Sequence, residues 1–591
     1  MIDKRQREIK DRISRYAMDL WGISDPSRMD PIVDLLLDVF AYNSSRLYQD
    51  IDAADASILH RLARLLVPHK WSLPFPSHAL MTVCPASDNI RTLSIKDHFY
   101  ADRMIFSKGA VRLFFTPLAN YPLIQAQVKC IAFGHKILTY MNDGRHIESF
   151  SDRDGKNDEN SVWVGIEISE QTLLNTESLT LCILPEDNRL TPFIKDIQAY
   201  DTDGNPLCVH NPSFSLPDKE KYHYFDDISD YYADHFITID LTEQSCQEKL
   251  CCTSFPRIWN NDTVEKNAGN LYWVKLQFPK LLSYMNFEGM RILMNTFPVV
   301  NRRAEFKRHS FAREGTIISL PCDDGMHLLN VDSLQDNTGK DYTDMQSHYE
   351  ERHSGAFSLY FGNLERFDSD NASTLIIRLM QLIREDGSAF FSTNTDLLDA
   401  QLNELYTKID EIGKNVYDTI QRGSKQRAFL LTLPQKNAED AEVRYWVTDG
   451  DTANGLDSRS LLYQHGIDKF LVTGIRFQTV TKQGTVHKDE QDLINSLRYG
   501  LLSRDRIVTQ EDVRSYIFHK MGALVKSVDI RDGIDISPDV RKGIVRTTEV
   551  RITVRQMSDN ETVDLPATAH FLEKELTKRS ISKIPYKIFF E

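Results

Sequence analysis

The 591-residue chain is short of the residues that several specialised scaffolds depend on. Eight cysteines are too few to staple a chain of this length, so a disulfide framework is excluded. No C-x-x-C pair occurs. Cys246, Cys251 and Cys252 cluster without a histidine at ligand spacing, which argues against zinc. No run approaches the roughly 18–20 uncharged apolar residues that cross a bilayer. Apolar runs are short, and Leu35-Leu36-Leu37, for example, is cut by Asp38. The opening MIDKRQREIKDR has no apolar core, so no signal peptide is expected. Basic residues are the minority, 70 against 85 acidic, for a net charge of −15. A general nucleic-acid binder needs the opposite balance. The run Asn301-Arg302-Arg303 to Lys307-Arg308 reads as a solvated basic face rather than a contact patch.

What is present is ordinary globular material, 41% hydrophobic and 26% charged. At roughly 150 residues per domain, the length suggests about four domains. The expected setting is the cytoplasm, with reduced thiols.

The first part reads as helical. Ile2, Ile9, Ile13, Tyr16 and Leu20 share one helical face, and Gly22 stops the run. Asp30-Pro31 is a start signal: a capping carboxylate, then a proline whose missing N–H costs nothing at the first helical position. A third helix starts near Asp55 and ends at Pro68. Strand-like runs follow at Ala79–Cys84, Val111–Thr116, Val162–Ile168, Leu179–Leu184, Tyr272–Phe278 and Thr316–Leu320. Residues 213–235, crowded with Tyr, Asp and Lys, read as a surface insertion. Asp323 to Gly355 reads as a loop or linker. Beyond 427 strands and helices mix. A helix at Gln510–Met521 behind the cap Thr509, strands at Leu524–Ile530 and Val545–Arg555, a helix at Ala567–Lys578 and a strand at Tyr586–Phe590 give a ferredoxin-like order.

The strongest periodic signal is Leu398, Leu402, Leu405, Ile409, Ile412 and Val416, spaced 4, 3, 4, 3 and 4 apart. That is a coiled-coil-like seam on a helix spanning about 39 Å at 1.5 Å per residue. The helix either packs on its own domain or pairs with partner helices. Its narrow stripe favours pairing, which makes these six residues the candidate partner interface.

The expected fold is therefore multidomain α+β. It comprises an N-terminal helical domain at 1–76, strand-rich domains at 77–330, a linker with strands at 331–395, a long bundle helix at 396–422, an α+β domain at 423–500 and a ferredoxin-like domain at 501–591. No chemistry is legible in the motifs. G-x-G-x-x-G, G-x-x-x-x-G-K-[ST], H-E-x-x-H and G-x-S-x-G are all missing. Asp152, Asp154, Asn157 and Glu159 miss the calcium-loop spacing and read as a solvated turn. His60 and His69 read as a chance pair. No catalytic, cofactor-binding or metal-binding residue is assigned, and no cofactor is expected.

Several stretches resemble one family, TssF, the baseplate wedge proteins of bacterial type VI secretion systems. They are DPIVDLLLDVFAYNSSRLYQDID at 30–52, LHRLARLLVPHKWSLPFPSHALM at 59–81, IFSKGAVRLFFTP at 105–117 and ILMNTFPVVN at 292–301. In the last, Asn295, Pro298 and Asn301 match the family's Asn-x-x-Pro-x-x-Asn stretch. VRYWVTDGDTANGLDSRSLL at 443–462 and SRDRIVTQEDVRSYIFHKMGALVKSVDI at 503–530 are similar to the baseplate J wedge proteins of contractile phage tails. The resemblance implies a structural, non-enzymatic subunit. It implies two copies with one TssG, wedges around a VgrG-containing hub, and contacts to TssK, TssE and the sheath. It implies a cytoplasmic protein near the inner membrane that does not itself span it. A wedge protein of a phage-like injection device and a cytosolic enzyme with a motif-less site are the alternatives.

Overall fold

The computed structural model describes residues 4–21, 33, 36–44, 73–241, 271–361, 428–536, 543–555 and 565–591, with short breaks inside the longer spans. The expected helix at 396–422, with Leu398, Leu402, Leu405, Ile409, Ile412 and Val416, lies outside the described residues. So do the three-cysteine cluster, His60 and His69. The described protein is mixed α/β, rich in sheet and with few helices.

At the N-terminus a helix runs Lys4–Trp21. Lys10 Nζ reaches Asp38 Oδ2 at 2.8 Å on the helical residues 36–44. Ile9 is buried there, whereas Tyr16 and Leu20 on the same stripe stay exposed.

A central six-stranded sheet has the order Tyr463–His465, His98–Ile105, Gly109–Pro117, Thr296–Asn301, His78–Thr82 and Arg476–Phe477. Every pairing in it is antiparallel. Segments 77–330 and 423–500 thus share one sheet. The strand Thr296–Asn301 is buried at every position, as expected of a strand covered on both faces. Pro298 is tolerated there because its carbonyl accepts from Leu118 N at 3.0 Å. A strand residue's N and C=O point to the same side. The missing N–H therefore faces the end of Gly109–Pro117, and the ladder to His78–Thr82 loses nothing.

Between Gly109–Pro117 and Thr296–Asn301 the chain makes a large excursion. A seven-stranded sheet, from Pro206–Leu207 at one edge to His146–Phe150 at the other, and a four-stranded sheet share a core. Val162, Val164, Leu181, Ile183, Ile237 and Val274 fill it. A smaller pair of sheets follows. Arg303–Ser310, Asp440–Thr448 and His327–Asp336 face Ile317–Leu320, Ala428–Leu433, Ala356–Phe361 and Thr343–Asp344. Their shared core includes Ile318, Leu334, Leu430 and Val443.

The C-terminal unit has helices Glu490–Ser503, Gln510–Met521 and Leu565–Arg579. Its sheet orders Val525–Ile536, Ile544–Val554 and Tyr586–Phe590, the last pair parallel. Thr509 caps the second helix as its sequence announces: Thr509 Oγ1 accepts from Asp512 N, and Asp512 returns the bond to Thr509 N.

Two expectations are corrected. Residues 213–235 are not a surface insertion: Phe225–Ala233 is a helix whose Phe225, Ile228, Tyr231 and Tyr232 sit in the main core with Tyr222 and Tyr224. Tyrosines and acids looked solvent-facing because their buried partners are remote in sequence. Residues 323–355 are not a linker either. They hold the ten-residue strand His327–Asp336, in which Leu328, Leu329 and Leu334 are buried.

Candidate functional site

The stretch Asn295 to Arg302, where the central sheet meets both sandwiches, is densely hydrogen-bonded. Asn295 adopts φ 49°, a left-handed conformation that asparagine tolerates better than most residues. Its side chain closes the large excursion. Oδ1 accepts from Ile124 N at 3.1 Å, and Nδ2 donates to the carbonyls of Ile124 at 2.7 Å and Ala126 at 3.0 Å. The point where the chain leaves for the excursion is thereby sewn to the point where it returns.

Asn301 is fully buried and uses its whole amide. Nδ2 donates to Phe114 O at 2.9 Å and Asp449 Oδ2 at 3.1 Å. Oδ1 accepts from Thr448 Oγ1 at 2.8 Å and Asp449 N at 2.9 Å. Arg302 is also 0% exposed, which corrects the solvated-face reading for Asn301 and Arg302, while Arg303, Lys307 and Arg308 stay at or near the surface. Its Nε donates to Thr116 Oγ1 at 2.5 Å, Nη1 to Tyr224 OH at 2.7 Å and Nη2 to Pro117 O at 2.6 Å. The guanidinium also lies 4.6 Å from the Trp446 ring and 5.4 Å from the Tyr222 ring. Tyr222 in turn donates to Asp332 Oδ1 at 2.7 Å. A buried cation is costly unless its donors are matched, and this one is matched by three acceptors at once.

His78 lies on the adjoining strand, wholly buried. The Tyr232 hydroxyl donates to Nδ1 at 2.9 Å, and Nε2 donates to Gln483 Oε1 at 2.8 Å. Burial, reinforced by the nearby Lys482 charge, lowers its pKa to about 3, so the ring is a neutral structural hydrogen-bonding group.

The strand Gly109–Pro117, which supplies Phe114, Thr116 and Pro117 to this junction, lies within a recognisable segment. Residues 12–136 match the family described as "Type VI secretion system, TssF". This segment is similar to the TssF family. No curated protein matches it. Among solved structures it is similar to a chain of a type VI secretion TssK-TssF-TssG baseplate subcomplex. The two are 12% identical with TM-score 0.42, over 94% of this chain and 96% of that one. A chain of "the baseplate complex from the type VI secretion system" is 13% identical with TM-score 0.32, over 99% of this chain and 96% of that one. A chain of the anti-feeding prophage baseplate is 9% identical with TM-score 0.13, over 49% and 57%.

Asn295, Pro298 and Asn301 all fall on or beside one central strand, and all three do structural work there. Arg302 was missed by motif reading, and its neighbours in sequence give no sign of its burial. The apolar run Phe297 to Val300 just ahead marks a strand covered on both faces, but not that the arginine after it is buried with it. Among the described residues no group of three His, Cys, Asp or Glu side chains could hold a metal ion. The chemistry of the junction is recognition of backbone and side chains by fixed donors, which makes it a lock between sheets.

Proposed function

We propose that this chain is a structural wedge subunit of the baseplate of a type VI secretion system. The TssF match over residues 12–136 carries the reading. The matched segment also presents an apolar face on the helical residues 36–44. There Leu36, Val39, Phe40 and Tyr42 are between 51% and 61% exposed, as suits a subunit that is completed by assembly. The buried junction supports the same reading, because a load-transmitting part needs its sheets locked together. TssG, a second copy of this chain and TssK are the proposed direct partners. TssE, the VgrG hub and the sheath are proposed contacts of the assembled ring. The helix at 396–422 is proposed to enter the bundle with TssG through Leu398, Leu402, Leu405, Ile409, Ile412 and Val416. No helix among the described residues is long and apolar enough to cross a membrane, and the proposed place is the cytoplasmic side of the inner membrane.

Co-expression with TssG followed by affinity capture and sedimentation tests this. The expected result is a stable complex and poor behaviour of the chain alone. Leu405→Asp with Ile409→Asp is expected to abolish the complex, because unpaired carboxylates in a packed seam cost several kcal/mol, while secondary structure content is retained. A well-behaved monomer that ignores TssG would sink the reading.

A further inference from the structure

The C-terminal unit and the helix Phe225–Ala233 of the large excursion share one continuous apolar core. Ile228 and Tyr231 of that helix lie in it with Tyr516, Phe571, Leu572 and Leu576 of the unit. A charged cluster is enclosed there, centred on Arg579 at the end of the helix Leu565–Arg579. Its guanidinium meets three carboxylates from three parts of the chain. Nη2 reaches Asp227 Oδ1 on the excursion helix at 2.7 Å, and Nε reaches Asp505 Oδ1, just beyond Glu490–Ser503, at 2.7 Å. Nη1 bonds Glu575 Oε2, one helical turn back. From Gln510–Met521, Lys520 Nζ reaches Asp227 Oδ2 at 3.3 Å, and the Tyr516 hydroxyl donates to Glu575 Oε2 at 3.3 Å. Tyr499, on Glu490–Ser503, donates to Asp505 Oδ1 at 3.3 Å. Lys578, beside Arg579 in sequence, pairs with Asp230 at the rim, at 2.5 Å.

Three carboxylates thus face two cations, Arg579 and Lys520. With every group ionised, the cluster would hold a surplus negative charge where water barely reaches. The side chains of Glu575, Asp227 and Arg579 are 2%, 10% and 11% exposed. An uncompensated buried charge is costly, and a carboxylate removes that cost by taking up a proton. Geometry selects which acid does so. Asp227 touches both cations, and Asp505 is 37% exposed. Glu575 is the most enclosed of the three, and it shares its one cation with both other acids. Burial and then Asp227 push the pKa of Glu575 up. Burial acts upward on Asp227 as well, but Lys520 and Arg579 overcome it and hold that carboxyl down.

We propose that this cluster is a proton clamp: a single proton carried on Glu575 closes it, and the helix Leu565–Arg579 loosens its hold on the excursion helix when rising pH removes that proton. Its loss leaves Glu575 and Asp227 both ionised around one guanidinium inside the core. In the unfolded chain Glu575 is an ordinary glutamate. The clamp's contribution is therefore full below pH 4.5 and is lost as pH rises toward neutrality.

Glu575→Gln tests the clamp, because the amide keeps the shape of the neutral acid and cannot ionise. Hydrogen exchange of peptides from Leu565–Arg579, read by mass spectrometry in the full chain, compares variant and parent at each pH. At about pH 8 the variant is expected to be the better protected, and its advantage should grow about tenfold or more between about pH 5 and about pH 8. In an Asp227→Asn background that gain should shrink, because two acids then face two cations. Infrared titration of the parent supplies a readout that needs no variant to fold: near pH 6 it should show the C=O stretch of a neutral carboxyl, and Glu575→Gln should lack it. Four results each overturn the clamp. They are a variant less protected than the parent at about pH 8, as an ordinary ionised salt bridge requires, an advantage that ignores pH, a gain that survives Asp227→Asn in full, and a parent without the neutral-carboxyl band.

Discussion

The guanidinium of Arg302 lies 4.6 Å from the ring centroid of Trp446, so a side chain at the start of one sandwich strand is read by a residue on its neighbour in the same sheet. Arg303 to Ser310 and Asp440 to Thr448 pair directly beside them. The cation is held at the joint by three hydrogen bonds on one side and an aromatic face on the other.

Arg302→Met should therefore be among the most damaging single changes in the protein. It keeps the volume but leaves Thr116 Oγ1, Tyr224 OH and Pro117 O without their donor. The expected loss is about 3–5 kcal/mol, the range for breaking a buried charged network. Arg302→Lys should recover only part of it, because one ammonium cannot reproduce a planar fork. Urea unfolding measures both. A loss for Arg302→Met under about 1 kcal/mol, the worth of one ordinary hydrogen bond, would show that the junction is not a lock.

Asn295 separates backbone conformation from hydrogen bonding. Asn295→Gly and Asn295→Ala both lose the three side-chain bonds to Ile124 and Ala126. Only the alanine must also hold φ 49° with a Cβ. The alanine variant should be the less stable by about 1 kcal/mol. Equal thermal midpoints for the two would remove the conformational part of the account.

His78 imposes a pH dependence of definite sign. Its folded pKa is about 3, against 6.5 ordinarily. Between those values the unfolded chain holds the proton and the folded chain does not. Stability is full above pH 6.5 and is lost as pH falls toward 3, by up to about 1.4 kcal/mol per pH unit. His235, lowered to about 4 by burial and then by Lys574, adds to the same trend. Glu575 opposes it. Burial and then Asp227 raise it to about 7, so its contribution is full below pH 4.5 and lost as pH rises through 7. The net slope is a difference, and His78→Gln isolates one part. Measured between pH 6 and 4, the variant should lose stability less steeply than the parent, by about one proton's worth. Identical slopes would mean that His78 titrates normally.

Thr509 offers a local test. Thr509→Ala removes the bond to Asp512 N, at an expected cost of about 1 kcal/mol. Hydrogen exchange should quicken in the first turn of Gln510–Met521 ahead of the rest of the helix. Thr509→Gly should be milder, by the usual ranking of caps. Unchanged exchange in that turn would mean that the cap is idle.

The sequence determined the local elements. The strands at 161–168, 178–184, 272–277 and 317–320, the helix at 510–521 with its Thr509 cap, and the strand at 586–590 were legible because alternation, apolar runs and capping act between residues a few positions apart. Asn295, Pro298 and Asn301 were singled out by resemblance to a family, without their contacts. Tertiary structure alone decided which segments share a sheet: His78–Thr82, Thr296–Asn301 and Arg476–Phe477 are neighbours that no local pattern joins. It also decided that Arg302 and the tyrosines of 222–232 are inside. A charged or phenolic side chain is buried only where partners supply its hydrogen bonds, and those of Arg302 come from 78 to 186 positions away. Burial of a polar group is a property of the assembled site, so no stretch of the chain can announce it alone.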